Sequence, residues 1–204
     1  MSALGINHVS YEITEINGKP YSMCENFITT ETELIPAVDI VINEPQKPDD
    51  TRMTHLLRAC ENLGMDVNTI KTKIDQMLVV DFLIGNYDRH WRNFGFIRNA
   101  DTLEFIDFAP IFDSGASFWQ FHEQIDSGVI SDTKFAETLL KQLELVTDLS
   151  WYKLIPDDEL QETVLQTLNL HPTTTKERQE KIARQVVEHA HMIAKLQQQL
   201  YQNE

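Results

Sequence analysis

Hydrophobic and polar positions change period several times along the chain, and each change marks an element. Between residues 8 and 28 apolar and polar residues alternate, the pattern of strands with one covered face. Residues 9–13 predict one strand, and residues 21–24 open another. Asn17 and Gly18 lie between them. A tight hairpin turn needs positive φ at both central positions, and these two residue types adopt it readily. Residues 43–50 form a polar loop broken by Pro45 and Pro48, which sets a short segment 1–45 apart from residues 46–204. From Thr51 the period becomes helical, with Met53, Leu56, Leu57 and Cys60 on one side and Gly64 as a stop. Over residues 70–84, Ile74, Met77, Leu78, Phe82 and Leu83 recur at helical spacing in a run apolar enough to be buried, and Gly85-Asn86 suits its left-handed terminus. Residues 94–97 and 103–106 predict two strands around a polar turn.

The remainder reads as helical. Residues 131–146 are one candidate, and Asp157-Asp158-Glu159 opens another after Pro156. Thr173–Thr175 caps a long final helix to about Tyr201, with Ile182, Val186, His189, Ile193, Leu196 and Leu200 in one stripe. That stripe suits a core-facing helix, and its spacing would also allow a short coiled coil.

The chain has 204 residues, enough for one ordinary domain or two small ones with a real core. It carries 17 basic and 32 acidic residues, a net charge of −15. Such a balance argues against nucleic-acid binding and against docking on an anionic membrane, both of which need basic surface. Cys24 and Cys60 form no C-x-x-C pair, so a reducing cytoplasm is expected rather than a disulfide scaffold. No signal peptide or membrane-spanning run is visible. His189 and His191 are two apart and point to different helix faces, so no zinc site is expected from them. Trp91, Trp119 and Trp151 read as packing residues.

The chemistry concentrates in two short segments. Asp88 and Asn93 have the separation of the catalytic Asp and the metal-binding Asn in a protein-kinase catalytic loop. Asp113-Ser114-Gly115 then offers a second carboxylate before a flexible Gly, in the place where a kinase holds magnesium against the nucleotide phosphates. One Asp-x-x-x-x-Asn match alone would be weak, because such residues commonly cap helices and form turns. Here loop, hairpin and Asp-x-Gly follow one another in kinase order.

The longer strings are more specific. Asp88-Arg89-His90-x-x-Asn93 after an apolar helix resembles the catalytic loop of the lipid-kinase-like branch of the kinase superfamily. Leu83-Ile84-Gly85-Asn86-x-Asp88-Arg89-His90-x-x-Asn93-Phe94-Gly95 followed by Ala109-Pro110-Ile111-Phe112-Asp113-Ser114-Gly115 resembles the HipA-like serine/threonine kinases of bacteria. Gly5-Ile6-x-His8-Val9-x-Tyr11 and Glu33-Leu34-Ile35-Pro36-Ala37 are similar to segments of the same proteins. The resemblance implies an α+β, mainly α protein-kinase-like carboxy-terminal lobe, with a β-hairpin carrying the metal site and a remnant of the amino-terminal-lobe sheet. It implies ATP and Mg²⁺ as cofactors and protein Ser or Thr as the acceptor. Asp88 would orient or deprotonate the hydroxyl, Asn93 and Asp113 would bind the metal, and Arg89 and His90 would support the loop or neutralise developing charge. Glu25 and Phe27 would lie in the hinge behind the adenine. A toxin-like role beside an antitoxin partner is also implied.

The departure from that pattern lies at the front of the chain. Before residue 64 the only glycines are Gly5 and Gly18, and the only lysines are Lys19 and Lys47. A kinase needs a Gly-rich loop over the phosphates and a strand Lys on them. The chain thus reads as a catalytic lobe whose amino-terminal lobe is largely missing, through truncation or because a separate polypeptide supplies it. Two other functions stay open on sequence: a catalytically inactive interaction module and a phosphoinositide-type kinase, the latter disfavoured by the acidic balance.

Overall fold

The computed structural model describes residues 1–128, 135–170 and 174–202. After a short 3₁₀ turn at Ser2–Leu4, strands β1 (Tyr11–Ile16) and β2 (Lys19–Cys24) pair antiparallel as a two-stranded sheet of their own. Asn17 (φ 53°) and Gly18 (φ 73°) make the tight turn that the alternation predicts. The first strand starts two residues later than expected because Val9 is drawn elsewhere, its N–H donating to the Ile111 carbonyl at 2.9 Å. Tyr11, Ile13, Ile16, Tyr21 and Met23 remain exposed on this hairpin.

Strand β3 (Thr32–Pro36) joins β4 (Gly95–Asn99) and β5 (Phe105–Phe108) in a three-stranded antiparallel sheet of order β3-β4-β5. Glu33 faces Arg98 across the first ladder and pairs with it at 2.8 Å. Gly95 permits the close approach there, since a Cβ on it would sit 2.4 Å from the Ile35 carbonyl oxygen. Both hairpin strands begin later than the alternation suggests, and the β4–β5 register shifts between Ile97 and Arg98. The local bulge, rather than side-chain period, fixes their ends.

Helices make up the rest. α1 (Ala37–Ile42) follows β3 directly. α2 (Arg52–Asn62) starts where Thr51 Oγ1 accepts from the Thr54 N–H, and Gly64 (φ 81°) follows its end. α3 (Val67–Ile84) is capped by Asp66 and runs through the core, with Ile74, Met77, Val79 and Phe82 fully buried. α4 is short (Leu139–Leu143), and α5 (Asp157–Asn169) and α6 (Lys176–Tyr201) pack against each other. No helix of the described residues is long and apolar enough to cross a membrane.

The helix expected over residues 131–146 is corrected: within the described part only Leu139–Leu143 is helical, and residues 131–134 lie outside it. A tertiary contact ends it early. The fully buried Asp75 carboxylate accepts from Thr147 N, Thr147 Oγ1 and Asp148 N, each at 3.1 Å, which holds residues 147–148 as a loop while Val146 and Leu149 enter the core. In α6, Thr175 is the cap and Thr173 lies outside the described residues. Ile182, Val186, His189 and Ile193 are buried, the core-facing arrangement of that stripe. His189 Nδ1 donates to the Phe82 carbonyl at 2.6 Å and its ring stacks on Phe82 at 4.1 Å. Burial lowers its pKa to about 4, so near neutral pH it is an uncharged packing residue.

Candidate active site

The site begins at the end of α3. Asn86 N–H donates to the Asp81 carbonyl at 2.8 Å and Gly85 N–H to the Phe82 carbonyl at 3.2 Å, the paired bonds of a left-handed helix terminus. Gly85 meets two demands here: its φ is 64°, and a Cβ would lie 3.0 Å from the Trp119 ring. The chain therefore leaves the helix in one direction. Asn86, fully buried, fixes the first step by donating its side-chain amide to Asp81 Oδ1 at 2.7 Å.

Arg89 is the hub of the loop that follows. Its guanidinium is 0 % exposed. Nε donates to Asp81 Oδ2 at 3.0 Å, and Nη2 to Asp81 Oδ1 at 2.9 Å and Ser114 Oγ at 3.2 Å. Nη1 donates to the carbonyls of Asn93 at 2.7 Å and Phe112 at 2.5 Å. These bonds occupy all the N–H groups that a guanidinium has. Of the two roles the sequence allowed Arg89, this geometry leaves it support of the loop, because no face of the group is open to a ligand. Asp81, which on sequence alone merges into an apolar helix, is the anion that holds it.

Asp88 and Asn93 are fixed around the same hub. The Asp88 carbonyl accepts from His90 N at 3.0 Å and from Asn93 Nδ2 at 2.8 Å. Since Nδ2 donates, the Asn93 Oδ1 is left as the acceptor end of a side chain that is 6 % exposed. His90 Nδ1 accepts from the Arg92 N–H at 3.2 Å, so the ring proton belongs on Nε2. The far end of the loop is held by α1, whose Ala37 and Val38 N–H groups donate to the carbonyls of Phe94 and Trp91, both at 3.0 Å. Burial and the adjacent Asp88 carboxylate raise the pKa of the Tyr87 phenol.

Asp113 arrives from β5. An isolated parallel bridge between His8 and Ile111 leads the chain out of the sheet. Asp113 itself has φ 50°, and its N–H donates to the Tyr11 hydroxyl at 3.3 Å. Phe118 (φ 57°) and Trp119 (φ 53°) share that uncommon left-handed backbone. Such conformations cost free energy and persist where surrounding contacts impose them. Phe118 N–H donates to the Ile84 carbonyl at 2.8 Å, Trp119 is fully buried over Gly85, and Arg178 Nη2 donates to the carbonyls of Trp119 at 2.7 Å and His122 at 2.6 Å.

The Asp88 and Asp113 carboxylates make no hydrogen bond or ion pair with another described residue. They are two acidic groups on rigidly held backbone. The two hinge candidates lie differently. Phe27 packs its ring 5.8 Å from Phe112, next to Asp113, whereas Glu25 is exposed in the segment after β2. A cavity of about 750 Å³ is walled by Ser114, Ser117 and Phe118 on one side and by Leu160, Val164 and Ile182 of α5 and α6 on the other. None of Asp88, Asn93 and Asp113 lines it.

The chain has relatives in sequence and in fold. No family model matches the chain. By sequence it is 28 % identical over 123 residues, 58 % of its length, to the serine/threonine-protein kinase CtkA of Helicobacter pylori. That match spans only 38 % of the relative. By structure it resembles the Helicobacter pylori proinflammatory kinase CtkA (TM-score 0.67, 18 % identity, 98 % of this chain and 83 % of the other). It also resembles Shewanella oneidensis HipA, solved with HipB and operator DNA (TM-score 0.53, 11 % identity, 96 % of this chain and 55 % of the other). The chain is therefore a homologue of CtkA, a HipA-like serine/threonine kinase, and has a mixed α+β fold of the kind found in CtkA and HipA.

Proposed function

We propose that this chain is the catalytic lobe of an ATP- and Mg²⁺-dependent kinase that phosphorylates Ser or Thr of a protein. The observation that carries the reading is the orientation of Asn93. Its amide nitrogen is committed to the Asp88 carbonyl, so its oxygen is the end left for a hard cation. With the Asp113 carboxylate this gives an all-oxygen donor pair, the kind that holds magnesium together with phosphate oxygens and water. Bound there, magnesium supplies neutralisation of the charge on the transferring phosphoryl group. Asp88 receives the proton of the attacking hydroxyl as its oxygen bonds to the γ-phosphorus and the bond from that phosphorus to ADP breaks. Its main chain is held still by the two donors on its carbonyl. His90 borders the same loop with Nε2–H as its donor, and Phe27 abuts the metal-carrying segment.

A separate polypeptide carrying a Gly-rich loop and a phosphate-binding Lys is one partner that such a chain could take. The β1–β2 hairpin supports this, because a lone two-stranded sheet with exposed apolar residues on open edges is a ready site for strand addition. An antitoxin-type protein is a further partner. Nucleic acid and membrane are not, given the net charge of −15, and the cytoplasm is the expected location. Calorimetric titration with Mg-ATP tests the proposal. Binding that Asp113→Ala and Asn93→Ala both abolish is the expected result. A folded chain that ignores millimolar Mg-ATP, alone and with an amino-terminal-lobe polypeptide, would leave the second reading, a catalytically silent interaction module.

A further inference from the structure

We propose that the buried Asp81–Arg89 pair is a positioning device that sets the spacing between the metal-binding Asn93 and Asp113. This rests on the magnesium-dependent reading of the site. Asn93 and Asp113 are 20 positions apart in sequence and approach from different directions, one from a helix terminus and one from a sheet edge. Two metal ligands on separate segments need a common support, or each moves independently of the other.

Arg89 is that support. One guanidinium nitrogen, Nη1, donates both to the Asn93 carbonyl at 2.7 Å and to the Phe112 carbonyl at 2.5 Å, so the backbones next to the two ligands share a single donor atom. Nη2 adds the Ser114 hydroxyl at 3.2 Å, on the other side of Asp113. Asp113 is thus bracketed by bonds to its two sequence neighbours. The plane of the fork is in turn set by Asp81, which takes Nε at 3.0 Å and Nη2 at 2.9 Å. Asp81 belongs to the rigid end of α3 and also takes the Asn86 amide at 2.7 Å.

Energy alone does not account for this pair. Removing two charges from water costs several kcal/mol per ion, and apolar residues of similar volume fill such sites with equal or greater stability. A planar five-donor fork does what apolar packing cannot: it fixes directions toward three segments at once. A lysine in its place would keep the charge against Asp81 and lose those directions. Groups that orient metal ligands without touching the metal commonly change metal affinity about 10–100-fold when replaced.

Two variants test the inference, Arg89→Lys and Ser114→Ala, the second removing one arm of the fork from a half-buried hydroxyl with little risk to folding. Hydrogen exchange of the ligand-free chain comes first. The expected result for Arg89→Lys is faster exchange in residues 88–94 and 111–115 together, with α5 and α6 unchanged. Loss of protection in residues 88–94 alone would overturn the coupling. Manganese-ATP and metal-free ATP are then titrated separately. Affinity for manganese-ATP should fall about 10–100-fold in Arg89→Lys and about threefold in Ser114→Ala, with metal-free ATP unaffected. Equal losses with and without metal would reduce Arg89 to a structural residue and overturn the inference. Coupled exchange in Arg89→Lys beside a wild-type chain that binds no manganese-ATP, alone or with an amino-terminal-lobe polypeptide, would instead count against the kinase reading, and with it against any metal-positioning role for the pair.

Discussion

Gly85 offers the sharpest energetic test of how the candidate catalytic loop is launched. Replacing it with Ala incurs two separable costs. A side chain at φ 64° is in the left-handed region, which costs about 1 kcal/mol or more outside glycine. The new methyl would also lie 3.0–3.2 Å from three atoms of the Trp119 ring. That ring is fully buried and cannot withdraw freely, so crowding adds about 1–3 kcal/mol. Gly64 is the natural control, since its φ is 81° but a Cβ there would meet nothing within 4 Å. A stiffer unfolded chain offsets part of the loss at both sites alike, by about 0.4–1 kcal/mol. The difference between Gly85→Ala and Gly64→Ala therefore isolates the Trp119 contact at about 1–3 kcal/mol. Urea unfolding followed by circular dichroism measures both, alone and in a Trp119→Leu background, where the excess cost at Gly85 should shrink. Equal losses at the two glycines, or an excess unchanged by Trp119→Leu, would refute the idea that Trp119 and Gly85 are matched.

Other outcomes follow from the same structure. His189 binds its proton less readily folded (pKa about 4) than unfolded (about 6.5), so its buried neutral state stabilises the fold fully above pH 6.5 and loses that contribution as pH falls toward 4. The loss should reach about 3 kcal/mol, seen as a steeper acid dependence of the urea midpoint in wild type than in His189→Gln. Asp75→Ala strips four donors of their acceptor, the Lys71 ammonium among them, and should cost about 2–4 kcal/mol by denaturant titration, with Mg-ATP affinity of the surviving folded protein unchanged. Ile13→Lys and Met23→Lys, on the exposed hairpin, should shift stability of the isolated chain by no more than about 0.5 kcal/mol in the same assay.

Much of this was readable from local chemistry. Asn17-Gly18, Thr51, Gly85-Asn86 and Thr175 mark turns and caps because their side chains or backbone freedom act within a few residues. The order of Asp88, Asn93 and Asp113 was legible for the same reason, as loop residues identified by type and spacing. What escaped depends on distant partners. β3 becomes a strand because β4, more than 50 residues later, pairs with it along its whole length, Glu33 meeting Arg98 within that ladder. Residues 144–146 fail to continue a helix because Asp75 captures the loop beyond them. Asp81 was hidden by its neighbours: a single carboxylate in an apolar helix carries no signal until the turn at Gly85 brings Arg89 back onto it. A charged residue inside an otherwise apolar helix, followed by an Arg just past its terminal Gly, is the pattern that could have pointed to it.

The bond from the Asp113 N–H to the Tyr11 hydroxyl has a mechanical meaning. Tyr11 is the first residue of the hairpin, and the preceding His8–Val9 segment is stitched to Ile111. The hairpin is thus a handle whose root is fastened at Ile111 and at the N–H of Asp113, the residue that would grip the metal. Force or displacement applied at its tip, near Asn17, travels along two strands and reaches Asp113 without passing through the helical core. Anything that seizes the handle pulls directly on the segment that carries Asp113.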